Sequence, residues 1–269
     1  MSDKKILSFT IGPVQGFISQ ARKTKDSFSG SKILSDVVNE TMKNLDEEQI
    51  ILPKKDIESK PNRFIALVDA NFDEKDILEQ FENKAKLKYR QIAEATYRYV
   101  FNNEKRPIGF DEQIMDFLNI HWVVSDYRGI DYKRVHNELD SLMGAIKNTQ
   151  MYPQIKFGNV QVGDQRATAE FGERGRKCTI CGERNGIFYG QKPKGFFNPL
   201  FHRVIHNHYM SKNEGLCAVC FTKRFYENEK TSSFPSTAEL SLMNITSNDL
   251  YKELNQKYNS TFSVDLLYV

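Results

Sequence analysis

The apolar positions of the first 150 residues follow two spacings. Residues 6 to 11, ILSFTI, set Leu7, Phe9 and Ile11 on one side at period two, the mark of a half-buried strand. Gly12-Pro13 ends it, because proline cannot donate to a ladder and fixes its own φ. Pro13 also suits the first turn of a helix. A helical region then runs to about residue 45, with Ile33, Leu34, Val37, Val38 and Leu45 as its stripe and a break predicted at Gly30.

FIALVD, 64 to 69, is a continuous apolar run that reads as a buried strand. Asp73 is placed to cap the next helix, where Ile77, Phe81, Ala85, Tyr89, Ile92, Ala93, Tyr97 and Val100 keep helical spacing over about seven turns. A short helix near 111 to 118 precedes a strand at 119 to 125, in which Ile120, Trp122 and Val124 alternate. The helix near 130 to 147 carries Val135, Leu139, Leu142, Met143 and Ile146. Strands alternating with long helices predict a sheet with helices laid on it, α/β or α+β.

Periodicity fades after residue 150. Residues 150 to 216 are rich in Gly, Lys, Arg, Asn and aromatics, so something other than a simple core must organise them. The four cysteines of the chain belong to this irregular part, Cys178-Thr-Ile-Cys181 within it and Cys217-Ala-Val-Cys220 directly after it. Two such pairs supply four soft thiolates, and a tetrahedral structural zinc would provide the missing cross-link. Gly182 lets the chain turn tightly round a metal, and CAVCFTKRFY places the second pair at a helix start. Four protein thiolates leave no open coordination position, which argues against catalytic zinc. Residues 182 to 216 form an insertion longer than a usual zinc ribbon. Redox dithiols or unlinked thiols are the alternatives, but neither pair follows a strand in a βαβ unit.

His202, His206 and His208 fall in that insertion. His202 and His206 have the spacing of a shared helical face, yet Arg-Val-Ile stands where a zinc protease needs its glutamate, so surface or aromatic-packed histidines are the simpler reading. No His precedes an Asp directly, so histidine–aspartate phosphohydrolase chemistry is not supported.

Charge changes the picture little. The 38 Lys+Arg against 35 Asp+Glu leave a net +3, too balanced to demand a nucleic-acid partner. Basic clusters at 21 to 25 (ARKTK), 173 to 177 (ERGRK) and 192 to 194 (KPK) are each expected to be solvated faces. Hydrophobic content of 39% and charged content of 27% describe a globular chain of one large or two modest domains. No run is apolar enough to span a bilayer and MSDKKILSFT is not a signal peptide, so a cytoplasmic location is the expectation.

Residues 11 to 35, IGPVQGFISQARKTKDSFSGSKILS, invite a phosphate-binding reading. The stretch lacks both the Walker spacing and G-x-G-x-x-G. Gly- and Ser-rich helix starts beside Arg22, Lys23 and Lys25 still suit an anion, with a structural turn as the blander choice.

The same stretch resembles the opening of the first palm domain in the large subunit of Cmr-type, type III-B CRISPR effector complexes. That family shows GPVQ-x-FI-x-x-AR-x-x-x-D-x-x-x-GS-x-x-LS, met here by Gly12, Pro13, Val14, Gln15, Phe17, Ile18, Ala21, Arg22, Asp26, Gly30, Ser31, Leu34 and Ser35. Pro61-Asn62-Arg63-Phe64 resembles its PN-x-F step. The two CxxC pairs, Lys223-Arg224 and Phe234-Pro235-Ser236-Thr237-Ala238 resemble its zinc region and the segment after it.

The resemblance implies a ferredoxin-like α+β palm over residues 1–150, a zinc-binding region over 151–230 and an extension over 231–269 toward a second palm. In the family, two palms hold ATP, and a Gly-Gly-Asp-Asp hairpin of the second binds divalent metals. Target-RNA recognition then switches on synthesis of a nucleotide messenger. A histidine–aspartate nuclease domain often precedes the first palm. By resemblance, Gly12, Gln15, Gly30, Ser31 and Ser35 would line part of a nucleotide pocket, and Cys178, Cys181, Cys217 and Cys220 would hold Zn2+.

The sequence carries no Gly-Gly-Asp-Asp and begins at the first palm, so the expectation is a split gene product, a cloned fragment or a degenerate homologue that makes no messenger alone. Its expected partners are a second-palm polypeptide, other effector subunits, and guide and target RNA, with ATP and divalent metal only in the complete assembly. ERGRK and KPK could touch RNA backbone or be structural. A freestanding zinc-stabilised nucleic-acid-binding protein is the alternative. An enzyme using Asp26 or Asp69 is a third reading, for which no paired second acid is evident.

Overall fold

The computed structural model describes residues 4–57, 59–102, 104–127, 131–149, 160–162, 165–167, 176–194, 197–206 and 210–226. The N-terminal elements are β1 (Lys4–Gly12), α1 (Gln15–Ser19), α2 (Thr24–Met42), β2 (Ile50–Leu52), β3 (Arg63–Asp69) and α3 (Glu74–Ile77). A single π-helical turn, Leu78–Glu82, leads from α3 into α4 (Asn83–Phe101). Then come α5 (Phe110–Met115), β4 (Asn119–Tyr127) and α6 (Tyr132–Asn148). The sheet runs β2-β3-β1-β4 and every pairing is antiparallel. With helices between β1 and β2 and between β3 and β4, this is the βαββαβ order of a ferredoxin-like palm.

Core packing explains why β1 reads as half-buried in sequence and is not. Leu7, Phe9 and Ile11 face the main core with α2 and α4, as the period predicts. The other face is also covered: Ile6, Ile65 and Val123 pack under Val135, Leu139 and Met143 of α6. Ser8 and Thr10 are accordingly buried, and Ser8 Oγ accepts from Arg63 Nε at 3.0 Å. The third helix makes the sheet a middle layer. Leu142 and Ile146, expected in the α6 stripe, are instead exposed, because only the Val135–Leu139–Met143 line meets the sheet.

The helical break also lies elsewhere than predicted. The chain leaves α1 at Gln20 and re-enters helix at Thr24, and Gly30 sits in the middle of α2. There the missing side chain serves close packing, since a Cβ on Gly30 would lie 3.1 Å from Lys223 Cδ and 3.5 Å from the Phe17 carbonyl oxygen. Asp73 caps α3 as expected, accepting from Asp76 N at 3.0 Å while the Asp76 carboxylate accepts from Asp73 N at 3.1 Å.

Beyond α6, β5 (Val160–Val162) and β6 (Gln165–Ala167) form an antiparallel pair. β7 (Phe188–Tyr189), β8 (Arg203–Val204) and β9 (Gly215–Leu216) make a small sheet ordered β8-β7-β9, followed by α7 (Ala218–Phe225). This part shares the main core with the palm: Phe188 and Phe221 stack at 4.0 Å between ring centroids and meet Tyr97, Phe101 and Phe110. Gln113 of α5 pins the junction, accepting from Ala218 N at 2.7 Å and donating to the Asn185 carbonyl at 3.1 Å. Among the described residues, no helix is long and apolar enough to cross a membrane.

Candidate metal centre

Two backbone knuckles bring the four cysteines together. In the first, Gly182 takes φ +68°, a left-handed turn that glycine allows without strain, and its N–H donates to the Cys178 carbonyl at 2.9 Å. Cys178 N donates to the Arg184 carbonyl at 2.8 Å, closing the loop. In the second, β9 delivers Cys217 to the start of α7, where its Sγ accepts from Cys220 N at 3.4 Å. Thr179 N to Gly215 O and Ile187 N to Leu216 O, both 2.8 Å, hold the knuckles side by side.

The ligand atoms of Cys178, Cys181, Cys217 and Cys220 all lie within 4.8 Å of one another. Cys181 Sγ and Cys217 Sγ are 3.8 Å apart. A tetrahedral ion with bonds of about 2.3 Å to sulfur needs sulfurs about 3.8 Å apart, so the donor set can hold a metal ion. Burial pushes the Cys217 thiol well up, whereas hydrogen bonding, first with Cys178 and then with Cys217 and Cys220, draws the Cys181 thiol far down. Thiolates this close coexist only around a cation.

The second knuckle also opens α7. The helix it starts sends Lys223 and Arg224 into the α1–α2 turn. Lys223 Nζ donates to the carbonyls of Phe17 and Gln20 at the end of α1 and lies 4.8 Å from the Phe17 ring centroid. Arg224 is fully buried, with its Nη2 2.8 Å from Asp26 Oδ2 and its Nη1 3.3 Å from Glu214 Oε2. Burial opposes its charge, but Asp26 and Glu214 more than offset that and its pKa rises. Asp26 Oδ2 also accepts from Arg22 N at 3.2 Å and Lys23 N at 3.3 Å, closing the turn.

Asp26, considered in the sequence as a catalytic acid, is thus committed to Arg224 and to the turn. Asp69, the other candidate acid, is exposed at the end of β3. Lys25, in a cluster expected to be solvated, is buried, whereas Arg22 remains exposed and lies 3.9 Å from Glu214.

The five proposed nucleotide-contacting residues divide by exposure. Gln15 and Ser31 are exposed, and Gly12 is half-buried beside Asn119. Gly30 and Ser35 are buried, and Ser35 Oγ accepts from Lys60 N at 2.7 Å. Asn62 joins the start of β3 to the Gly12 turn, exchanging Ile11 N to Asn62 O at 2.9 Å and Asn62 Nδ2 to Ile11 O at 3.1 Å.

His202 and His206 flank β8 and share no helix. His202 is buried against Tyr189, its Nδ1 accepting from Asn198 N at 3.1 Å, and His206 is exposed. His208 and residues 234–238 lie outside the described residues.

The family model for the N-terminal part of CRISPR-associated protein Cmr2 matches residues 6–58, which hold β1, α1, α2 and β2. The fold matches a type III-B Cmr-beta cryo-EM structure in the apo state at TM-score 0.60 and 15% identity, over 94% of this chain and 37% of that one. The chain resembles a Cmr-type large subunit. A second Cmr-beta structure, bound to cognate target RNA, matches at TM-score 0.56 and 14% identity, over 92% of this chain and 35% of that one. The chain therefore spans little more than a third of the length of these Cmr-complex chains. No curated protein sequence matches it.

Sequence reasoning missed Arg224, Lys223, Glu214 and Gln113 as partners. One signal was available: two cations between Phe221 and Phe225 on a short aromatic helix must be buried or leave an apolar face interrupted, and buried cations need acids.

Proposed function

We propose that this chain is the first-palm and metal-braced segment of a Cmr-type effector large subunit, working in the cytoplasm within an RNA-guided antiviral complex. The observation that carries this reading is the Cmr2 family match at residues 6–58, together with a fold match to a Cmr-beta structure that covers 94% of the chain. The ion is structural Zn2+, held by four cysteine thiolates that leave no position for substrate. The face around Gly12, Gln15 and Ser31 forms one wall of an ATP pocket, with Gly30 and Ser35 setting the backbone behind it. A second palm supplies the opposite wall and the carboxylates that hold divalent metal. Guide and target RNA and the other effector subunits are the remaining partners.

Co-expression with a second-palm polypeptide and the remaining subunits tests the reading. Stable co-purification is expected, with ATP bound by the assembly and weakly or not at all by the chain alone. Appreciable ATP turnover by the isolated chain, or its failure to enter the assembly, contradicts it.

A further inference from the structure

The basic clusters at 173–177 and 192–194 are separate in sequence, and the fold brings one residue of each to a single cavity. Arg176, Lys194 and Lys212 line a space of about 520 Å³ beside the metal centre, with Tyr189, His202 and Glu214 among its other walls. The cavity is built rather than incidental. Gly190 brings one wall against the other so closely that a Cβ there would lie 2.1 Å from the Ser211 carbonyl oxygen. Arg176 Nη2 donates to the Asn213 carbonyl at 3.1 Å, which fixes the guanidinium at the cavity wall.

Charge in the cavity is one-sided. Glu214 is the sole carboxylate among the described residues lining it, and its oxygens are engaged by Ser211 N at 2.8 Å and by buried Arg224. His202 is buried, its Nδ1 accepts from Asn198 N, and burial lowers its pKa, so it adds no charge at neutral pH. Among the described residues, no carboxylate pairs with Lys194 or Lys212. Among the described residues, three cations from three segments therefore face a space whose one acid is already neutralised. A volume in the range of about 300–1,000 Å³ suits a whole small ligand better than a lone phosphate.

We propose that this cavity binds a nucleotide unit through its phosphate, on Arg176, Lys194 and Lys212, the nucleotide being part of a single-stranded RNA or free. The site is separate from the palm face around Gly12 and Gln15, and it stands whether or not the chain works in an effector complex.

The test uses the full 269-residue chain and a fluorescein-labelled single-stranded RNA of about 15 nucleotides. Anisotropy is read across a salt series. Lys194→Glu/Lys212→Glu is compared with Lys43→Glu/Lys75→Glu, which makes the same charge change at exposed positions elsewhere, after metal content is verified in both. The cavity variant is expected to bind about tenfold more weakly and to lose about 1.4 from the salt slope, about 0.7 per phosphate contact. The control should stay close to the parent. Competition with unlabelled RNA and with AMP separates the sources: displacement by RNA alone assigns the site to a strand, and displacement by AMP assigns it to free nucleotide as well. Equal losses in the two variants, no loss in either, or no binding of RNA or AMP by the parent overturns the proposal.

Discussion

Arg224 of α7 and Asp26 of α2 stand 198 positions apart and form an ion pair with no side-chain exposure on either partner. The pair joins α7, which carries Cys220, to the turn that follows Gly12-Pro13. Arg224 also answers Glu214, so its removal would strand two buried acids, whereas Asp26→Asn leaves Arg224 one acid. Arg224→Met is expected to lower stability by about 3–5 kcal/mol and Asp26→Asn by less. In urea unfolding, the double variant Arg224→Met/Asp26→Asn should lose less than the sum of the two single losses, because no aspartate charge is then stranded and the amide oxygen can still accept from Arg22 N and Lys23 N. Strictly additive effects would refute the coupling.

Two glycines inside helices should respond to alanine with opposite sign. Gly144 on α6 is exposed, with nothing within 4 Å of an added Cβ, so Gly144→Ala should stabilise by about 0.8–1.0 kcal/mol. Gly30→Ala gains the same propensity but presses on Lys223, whose ammonium is held by the Phe17 and Gln20 carbonyls and cannot yield. It should destabilise in thermal unfolding. On a Lys223→Ala background the substitution should become neutral or favourable; a Gly30→Ala as stable as Gly144→Ala would remove the packing account.

What the sequence revealed followed from repetition. Seven of the eight apolar positions read along α3 and α4 are buried, and the two CxxC pairs converge as their chemistry demanded. Parity misled at β1, because Ser8 and Thr10 mimic a wet face although α6 covers it. Gly30 looked like a helix break since glycine's two uses, freedom and close approach, leave the same letter. Arg224 with Asp26, and Arg176 with Lys194 and Lys212, are juxtaposed by tertiary packing alone. No local pattern encodes such meetings.

His202 gives the fold an acid-sensitive point. Burial holds its pKa below the ordinary 6.5, so below that pH the unfolded chain takes up a proton that the folded chain refuses. Stability should therefore fall as pH drops from 6.5 toward the folded value, with a slope of at most about 1.4 kcal/mol per pH unit. In chemical unfolding at a series of pH values, His202→Gln should flatten that part of the curve. An unchanged slope would mean that the imidazole titrates alike in both states.

Metal analysis of the purified chain should give one zinc ion for the four thiols of a single cluster. Cys178→Ser and Cys220→Ser should each weaken binding and lower the melting temperature, since a metal held by a four-thiolate cluster couples its binding to folding. Full metal retention in both variants would show that the cluster is not the site.

Hydrogen exchange across α1 and the α1–α2 turn tests the central claim, that a metal at the knuckles braces the turn after Gly12-Pro13 through Lys223 and Arg224. With metal bound, the amides of Arg22, Lys23 and Asp26 should exchange slowly, and a chelator should speed them together with those of α7. Loss of protection in the knuckles and α7 while these three amides stay protected would contradict it.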